Sequence, residues 1–201
     1  KKGLKPFSVS VGLNNAFNDF RYDPKIVYDP IEDKFICVML NGTVQYNYIV
    51  IGFSQTNDPS GTWNFYKFYG NYDGDTTWFD YPQISITQNE FFLTGNKIMF
   101  DSSWQAGFRK TVIYQIRKAD GYTGAASITY RIWDSIQYNN KYLRCLYPLN
   151  PADVIPGPAQ YFLSNRNFDV TNDSVFLVKI PDIIGATDST LTVTPIVSSL
   201  P

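Results

Sequence analysis

No histidine occurs anywhere in the 201 residues. That absence removes serine–histidine and cysteine–histidine nucleophile pairs, histidine-ligated zinc, and the side chain that most often acts as a general base near neutral pH. Glutamate is almost missing as well: Glu32 and Glu90 are the only two, and each stands beside a turn between strand-like runs. Cysteine is confined to Cys37 and Cys145, inside the apolar runs "KFICVML" and "YLRCLYP". Buried free thiols are the ordinary state of such positions, while two cysteines alone do not specify a disulfide, so the redox state stays open. The formal net charge is −1 with no basic stripe, which gives nucleic-acid binding little support. No run of about 18 apolar residues is present, so no transmembrane helix is expected. The opening "KKGLKPF" has neither an initiator Met nor an apolar signal core, and reads as a processed product or a piece of a longer chain.

What the chain has in quantity is aromatic side chains: 15 Tyr, 15 Phe and 4 Trp. Together with β-branched residues these suit a pleated, half-buried surface, so the composition leans toward sheet. Short runs rich in Val, Ile, Phe, Tyr and Thr, bounded by Gly, Pro, Asn or Asp, fall into three sets of four. The first set is 24–29, 34–40, 48–54 and 62–68. The second is 82–87, 90–96, 111–117 and 127–133. The third is 142–148, 159–165, 174–180 and 190–196, with "NPADVIPGP" (150–158) inserted between its first two members.

The sets echo one another. "YDPKIVYDPIEDKFICVML" (22–40) and "FDYPQISITQNEFFLTGNKI" (79–98) each open on an aromatic, an Asp and a Pro, then run strand, polar turn, strand. Ile49, Val112 and Val175 are 63 positions apart both times. A four-strand unit recurring at this length predicts an all-β chain of β-propeller blades. A four-stranded meander needs a second copy to cover its faces, and a ring supplies one to every blade; stacked sheets in a β-sandwich are the alternative. The expected blades are 22–68, 80–134 and 142–197, within one propeller domain spanning 1–201. Residues 1–21 then hold a linker or the last strand of a preceding blade ("FSVSVGL", 7–13). Three blades do not close a ring, so an incomplete propeller is expected.

At "DPKIVYDPIEDKF", "SQTNDPSGTW" and "DYPQISITQNEFFLTGN" the sequence resembles a group of secreted and cell-surface bacterial propeller proteins. The likeness covers residues 22–100, and the third set loosely through "PGPAQYFLSNR". It implies a propeller fold and export to the cell surface or beyond, and says little about mechanism. The turn "TNDPSGTW" (56–63) is similar to the Asp-box of sialidase-like propellers, with one residue too many between Asp58 and Gly61. Its Thr56, Asp58, Gly61 and Trp63 are expected to be a fold element, with the Asp accepting turn N–H groups and the Trp packing beneath.

Candidate sites follow from position. Asp23 and Asp80 precede Pro24 and Pro82 near the start of first strands, at one mouth of a central channel. There they either cap the strand-entry turns or form a carboxylate pair. "NYDGDTTWFD" (71–80) places Asp73 and Asp75 beside Asn71 and Gly74, an oxygen-rich loop that is either solvated or able to hold calcium. Tyr69, Tyr72, Trp78, Trp104 and Phe108 are expected on loops, Phe108 with Arg109 beside it in "FDSSWQAGFRK" (100–110). Flat rings beside Asp, Asn and Arg suit a glycan or a protein surface. The six arginines, Arg21, Arg109, Arg117, Arg131, Arg144 and Arg166, occupy different places in the repeat, which argues against the arginine cluster of a sialidase-type enzyme. The expected function is therefore a non-enzymatic binding or scaffold module with a protein or glycan partner and no cofactor beyond calcium. A sialidase-like glycoside hydrolase, with its catalytic residues largely in blades outside this segment, is the alternative.

Overall fold

The computed structural model describes residues 20–150, 155, 157–165, 171–187 and 189–197. The strand expected at 7–13 and part of the 150–158 insertion lie outside these residues. The described chain is almost entirely β. β1 (Arg21–Asp29), β2 (Lys34–Asn41), β3 (Tyr48–Ser54) and β4 (Trp63–Tyr69) form one four-stranded antiparallel meander. β5 (Thr77–Ile86), β6 (Glu90–Met99), β7 (Phe108–Arg117) and β8 (Tyr130–Trp133) form the second. A two-stranded hairpin of β9 (Gln137–Tyr138) and β10 (Lys141–Tyr142) precedes the third sheet. That sheet is β11 (Tyr147–Pro148), β12 (Gln160–Ser164), β13 (Ser174–Ile180) and β14 (Thr192–Val197).

The sheets stack like blades. Ile36, Val38, Ile49, Ile51 and Phe53 of the first meet Phe91, Leu93, Val112, Tyr114 and Ile116 of the second in one buried cluster. The opposite face of the second sheet, through Phe92 and Ile113, meets Phe162, Phe176, Val178 and Ile180 of the third. First strands are neighbours, β1 against β5 and β5 against β11. The central strands are apolar on both faces, since Met39, Val50 and Trp63 form a further buried cluster on the far side of the first sheet.

The 63-residue spacing of the third strands does not preserve facing. Ile49 and Val112 lie in the same inter-sheet cluster, so they look toward each other from adjacent sheets. Val175 is 40% exposed on the face of the third sheet turned away from the second. A one-residue change of register moves a strand's whole apolar set to the other face, and here β7 is offset by one relative to β3 and β13.

β1, β5 and β7 begin earlier than expected, at Arg21, Thr77 and Phe108 instead of 24, 82 and 111, and two strands are cut short for local reasons. The first strand of the third sheet shrinks from 142–148 to two residues, because the Asn139–Asn140 turn, both at positive φ, folds 137–142 into its own hairpin. The fourth strand of the second sheet begins at Tyr130 instead of 127, because a one-and-a-half-turn helix, α1 (Lys118–Thr123), follows β7. It ends where Gly124 takes a left-handed φ of 67°. α1 docks on the first sheet: Asn64 Nδ2 donates to the carbonyls of Gly121 and Tyr122 at 3.0 and 3.3 Å. The Tyr66 hydroxyl donates to those of Asp120 and Ala125. Among the described residues no helix is long and apolar enough to cross a membrane.

Candidate functional site

The recurrent Pro dipeptides are β-bulges. In β1 the ladder to β2 jumps from Tyr22 to Lys25, and in β5 the ladder to β6 jumps from Asp80 to Gln83. Proline cannot donate to a ladder, and a bulge absorbs it. The residues before the two prolines, Asp23 and Tyr81, take φ of 46° and 61°. Asp23 thus corresponds to Tyr81 and Tyr22 to Asp80, so the two aspartates are one position out of equivalence. The Asp80 carboxyl is pushed above the usual carboxylate range by burial, which the Tyr81 N–H partly offsets, and to a lesser degree by the charge of Asp23.

Two concavities open beside these bulges and share Tyr81. One, of about 300 Å³, is lined by Asp23, Pro24, Lys25, Tyr81, Pro82 and Gln83. The other, also about 300 Å³, is walled by Asp80, Asn96, Trp104, Arg144, Cys145 and Tyr147, with Ile98 and Tyr81 completing it. Arg144 is held in place from three directions. Its guanidinium lies 4.1 Å from the Phe108 ring centroid and donates to the Trp104 and Gln105 carbonyls at 3.3 and 3.0 Å. Cys145, at φ 52°, donates its N–H to Asn96 Oδ1, while Asn96 Nδ2 donates to Cys145 Sγ, each at 3.2 Å. Thr111 Oγ1 donates to the same Asn96 oxygen, which fixes the amide. The Tyr81 and Tyr147 hydroxyls are hydrogen-bonded across the rim, and burial, then that bond, pushes the Tyr147 phenol up. A fixed cation, a flat indole and a half-buried carboxyl around one hollow are equipped to bind; hydrogen bonding and stacking are the chemistry on offer.

Of the residues expected here, Asp80 and Trp104 line this hollow, Asp23 lines its neighbour, and Phe108 supports Arg144. Trp78, Phe108 and Tyr69 do not lie on loops: Trp78 is half-buried within β5, paired with Ile98, Phe108 opens β7 and Tyr69 ends β4. Arg109 is exposed on β7 and turns back on its own strand, donating to the Phe108 carbonyl and lying against Met99 Sδ. Asn96 and Tyr147 were not singled out by sequence, Arg144 was named only among the scattered arginines, and Cys145, expected as a buried thiol, is half-exposed in the hollow; the pair "NN" ahead of "KYLRCLYP" was the signal that this run could not be one continuous strand.

Asp73 and Asp75 meet lysines. Lys97 Nζ, wholly buried, lies 2.7 Å from Asp73 and 3.6 Å from Asp75. Lys110 bridges Asp73 and Asp134 at 2.9 and 3.0 Å. Both ammonium groups also lie over the Tyr72 ring, at 4.8 and 5.5 Å. The lysines hold the Asp73 carboxyl below the usual range against the opposing effect of burial. Among the described residues no group of three or more His, Cys, Asp or Glu side chains is gathered for a metal.

The 56–63 turn closes on itself. Asp58 Oδ1 accepts the Ser60 N–H and hydroxyl at 2.8 and 2.7 Å, and the Gly61 N–H reaches the Asp58 carbonyl. Thr56 Oγ1 accepts the Asp58 N–H, and the Trp63 indole N–H donates to the Pro59 carbonyl while its ring is buried. Comparison of the chain with protein-family models, with curated proteins and with solved structures found no match.

Proposed function

We propose that this chain is a non-enzymatic binding or scaffold module, a set of blades from an incomplete propeller in an exported or cell-surface bacterial protein. Its partner is a protein or a glycan, engaged at the mouth formed by the first strands. The observation that carries the reading is the hollow between Trp104, Arg144 and Asp80: it has a preset cation and an exposed ring and lacks an activated nucleophile–base pair. The neighbouring first strands and the resemblance to secreted propellers support the ring and the export; calcium at the Asp73–Asp75 loop remains part of the proposal.

A glycoside hydrolase draws on one observation, the raised Asp80 carboxyl beside Asp23, since paired carboxyls with separated proton affinities can divide acid and base roles. One experiment separates the two. The purified chain is presented to a glycan array and a panel of chromogenic glycosides, beside Trp104→Ala, Arg144→Ala and Asp80→Asn. Binding without turnover, weakened by the first two variants, supports the module. Turnover lost in Asp80→Asn with the fold intact overturns it. Cell fractionation that finds the native protein only in the cytoplasm would overturn the exported setting.

A further inference from the structure

The first strands of neighbouring sheets touch while the last strands diverge, and the wedge between β4 and β8 is a cleft of about 660 Å³. It lies apart from the hollow at Asp80 and shares no residue with it. Its walls are rings. Tyr130 is stacked over Tyr114 at 6.4 Å with an interplanar angle of 29°, and meets Phe68 edge-on at 5.0 Å. Tyr72 meets Tyr114 edge-on at 6.2 Å, and Tyr69 on the rim is 62% exposed. Among the described residues Lys67 is the one charged side chain in the lining, and its ammonium is set over the Tyr48 ring at 4.3 Å and the Tyr69 ring at 6.0 Å.

On the floor of this cleft is a polar group without a partner. Tyr114 is 1% exposed, and its hydroxyl has no hydrogen-bond partner among the described residues. A buried hydroxyl left unpaired costs more than the mean hydrogen bond contributes, so native proteins seldom keep one without a use. Burial, and then the neighbouring Tyr72 and Tyr130 phenols and the Asp73 carboxylate, push its ionisation up, so it stays a neutral donor and acceptor. The ring above it, Tyr130, is 47% exposed and on an edge strand.

We infer that the β4–β8 cleft is a second binding site, for an uncharged oligosaccharide that stacks on Tyr69 and Tyr130 and hydrogen-bonds to the Tyr114 hydroxyl. A sugar ring offers an apolar C–H face and a rim of hydroxyls, which matches flat rings surrounding one unpaired hydroxyl. An acidic sugar has no free cation to meet here. An extended peptide would use the edge of β4 or β8 and leave the Tyr114 hydroxyl unsatisfied.

The test is titration of the purified chain with cellohexaose, maltohexaose, xylohexaose and laminarihexaose at millimolar concentration, followed by calorimetry and saturation-transfer NMR. At least one is expected to bind. Tyr130→Ala and Tyr69→Ala, both at exposed positions, are each expected to weaken it about threefold to tenfold. Tyr114→Phe should weaken it by about the same factor without lowering the melting temperature, since it removes an unpaired group. Trp104→Ala should leave it unchanged, which keeps the outcome separate from that at the first-strand hollow. The inference is overturned if none of the four binds, or if binding survives the Tyr69→Ala/Tyr130→Ala double variant.

Discussion

Lys118 Nζ lies 2.6 Å from Asp29 Oδ2, joining the helix of the second sheet to the end of the first strand of the first, with side-chain exposures of 3% and 0%. The Tyr122 hydroxyl donates to the same oxygen at 3.0 Å, and Asp29 Oδ1 accepts the Ile31 N–H. Charges this deep are stable only as a set. Lys118→Met leaves Asp29 with hydrogen bonds but no counter-charge, and should destabilise the fold by about 3–5 kcal/mol in urea unfolding. The Asp29→Asn/Lys118→Met double variant should recover much of that loss; two additive losses would mean the pair is not coupled.

Glu90 gives a pH dependence of known sign. It is 1% exposed at the start of β6, one oxygen accepts the Ile184 N–H at 3.2 Å, and the other has no hydrogen-bond partner among the described residues. Burial, reinforced by Asp120, raises its carboxyl above the usual range despite Ile184, Arg117 and Gln115. A raised acid binds its proton more tightly folded than unfolded. Its contribution is therefore complete below the unfolded value, about 4.3, and is lost as pH rises through the folded one. Glu90→Gln should raise the urea midpoint at pH 7 and change little at pH 3. A gain that is the same at both pH values would contradict this.

Gly95 marks the closest approach between strands and rings. A Cβ there would stand 2.1 Å from Cζ of Phe79, a ring with 0% exposure and nowhere to retreat. Gly95→Ala should cost about 1–3 kcal/mol by overpacking, and trimming the ring with Phe79→Leu should make the same substitution less costly. Thermal unfolding of the two backgrounds decides it.

The two thiols differ in reach. Cys37 is buried beside Gly52, which separates it from Phe65 on the next strand, and burial pushes its thiol up to about 12. Cys145 is half-exposed in the hollow with Asn96 at its sulfur. Since the thiolate is the reactive form, iodoacetamide should alkylate Cys145 in the native protein and Cys37 only in denaturant. Peptide mapping of the singly modified species identifies the site, and native-state labelling at Cys37 would refute the assignment.

Strand content and the closed 56–63 turn were legible in the linear order of residues, and the recurrent prolines were legible as irregularities, although as strand-entry turns where the structure has bulges inside β1 and β5. Each depends on neighbours within a few positions: Asp58 reaching Ser60, or Pro24 denied a ladder bond. Facing was not legible. Ile49, Val112 and Val175 keep an even interval of 63, yet two look at each other and the third looks outward, because strand side chains alternate and one residue of slip reverses them. The hollow was half legible: Asp80 and Trp104 stand beside marked turns, but Arg144 reaches them across 40 residues of chain, onto a ring and two carbonyls that only the folding of the 137–142 hairpin brings near. The Tyr114 hydroxyl was not legible at all. In sequence it is one apolar strand position among many, and its lack of a partner arises from the divergence of two sheets, a property of how blades stack and of no single segment.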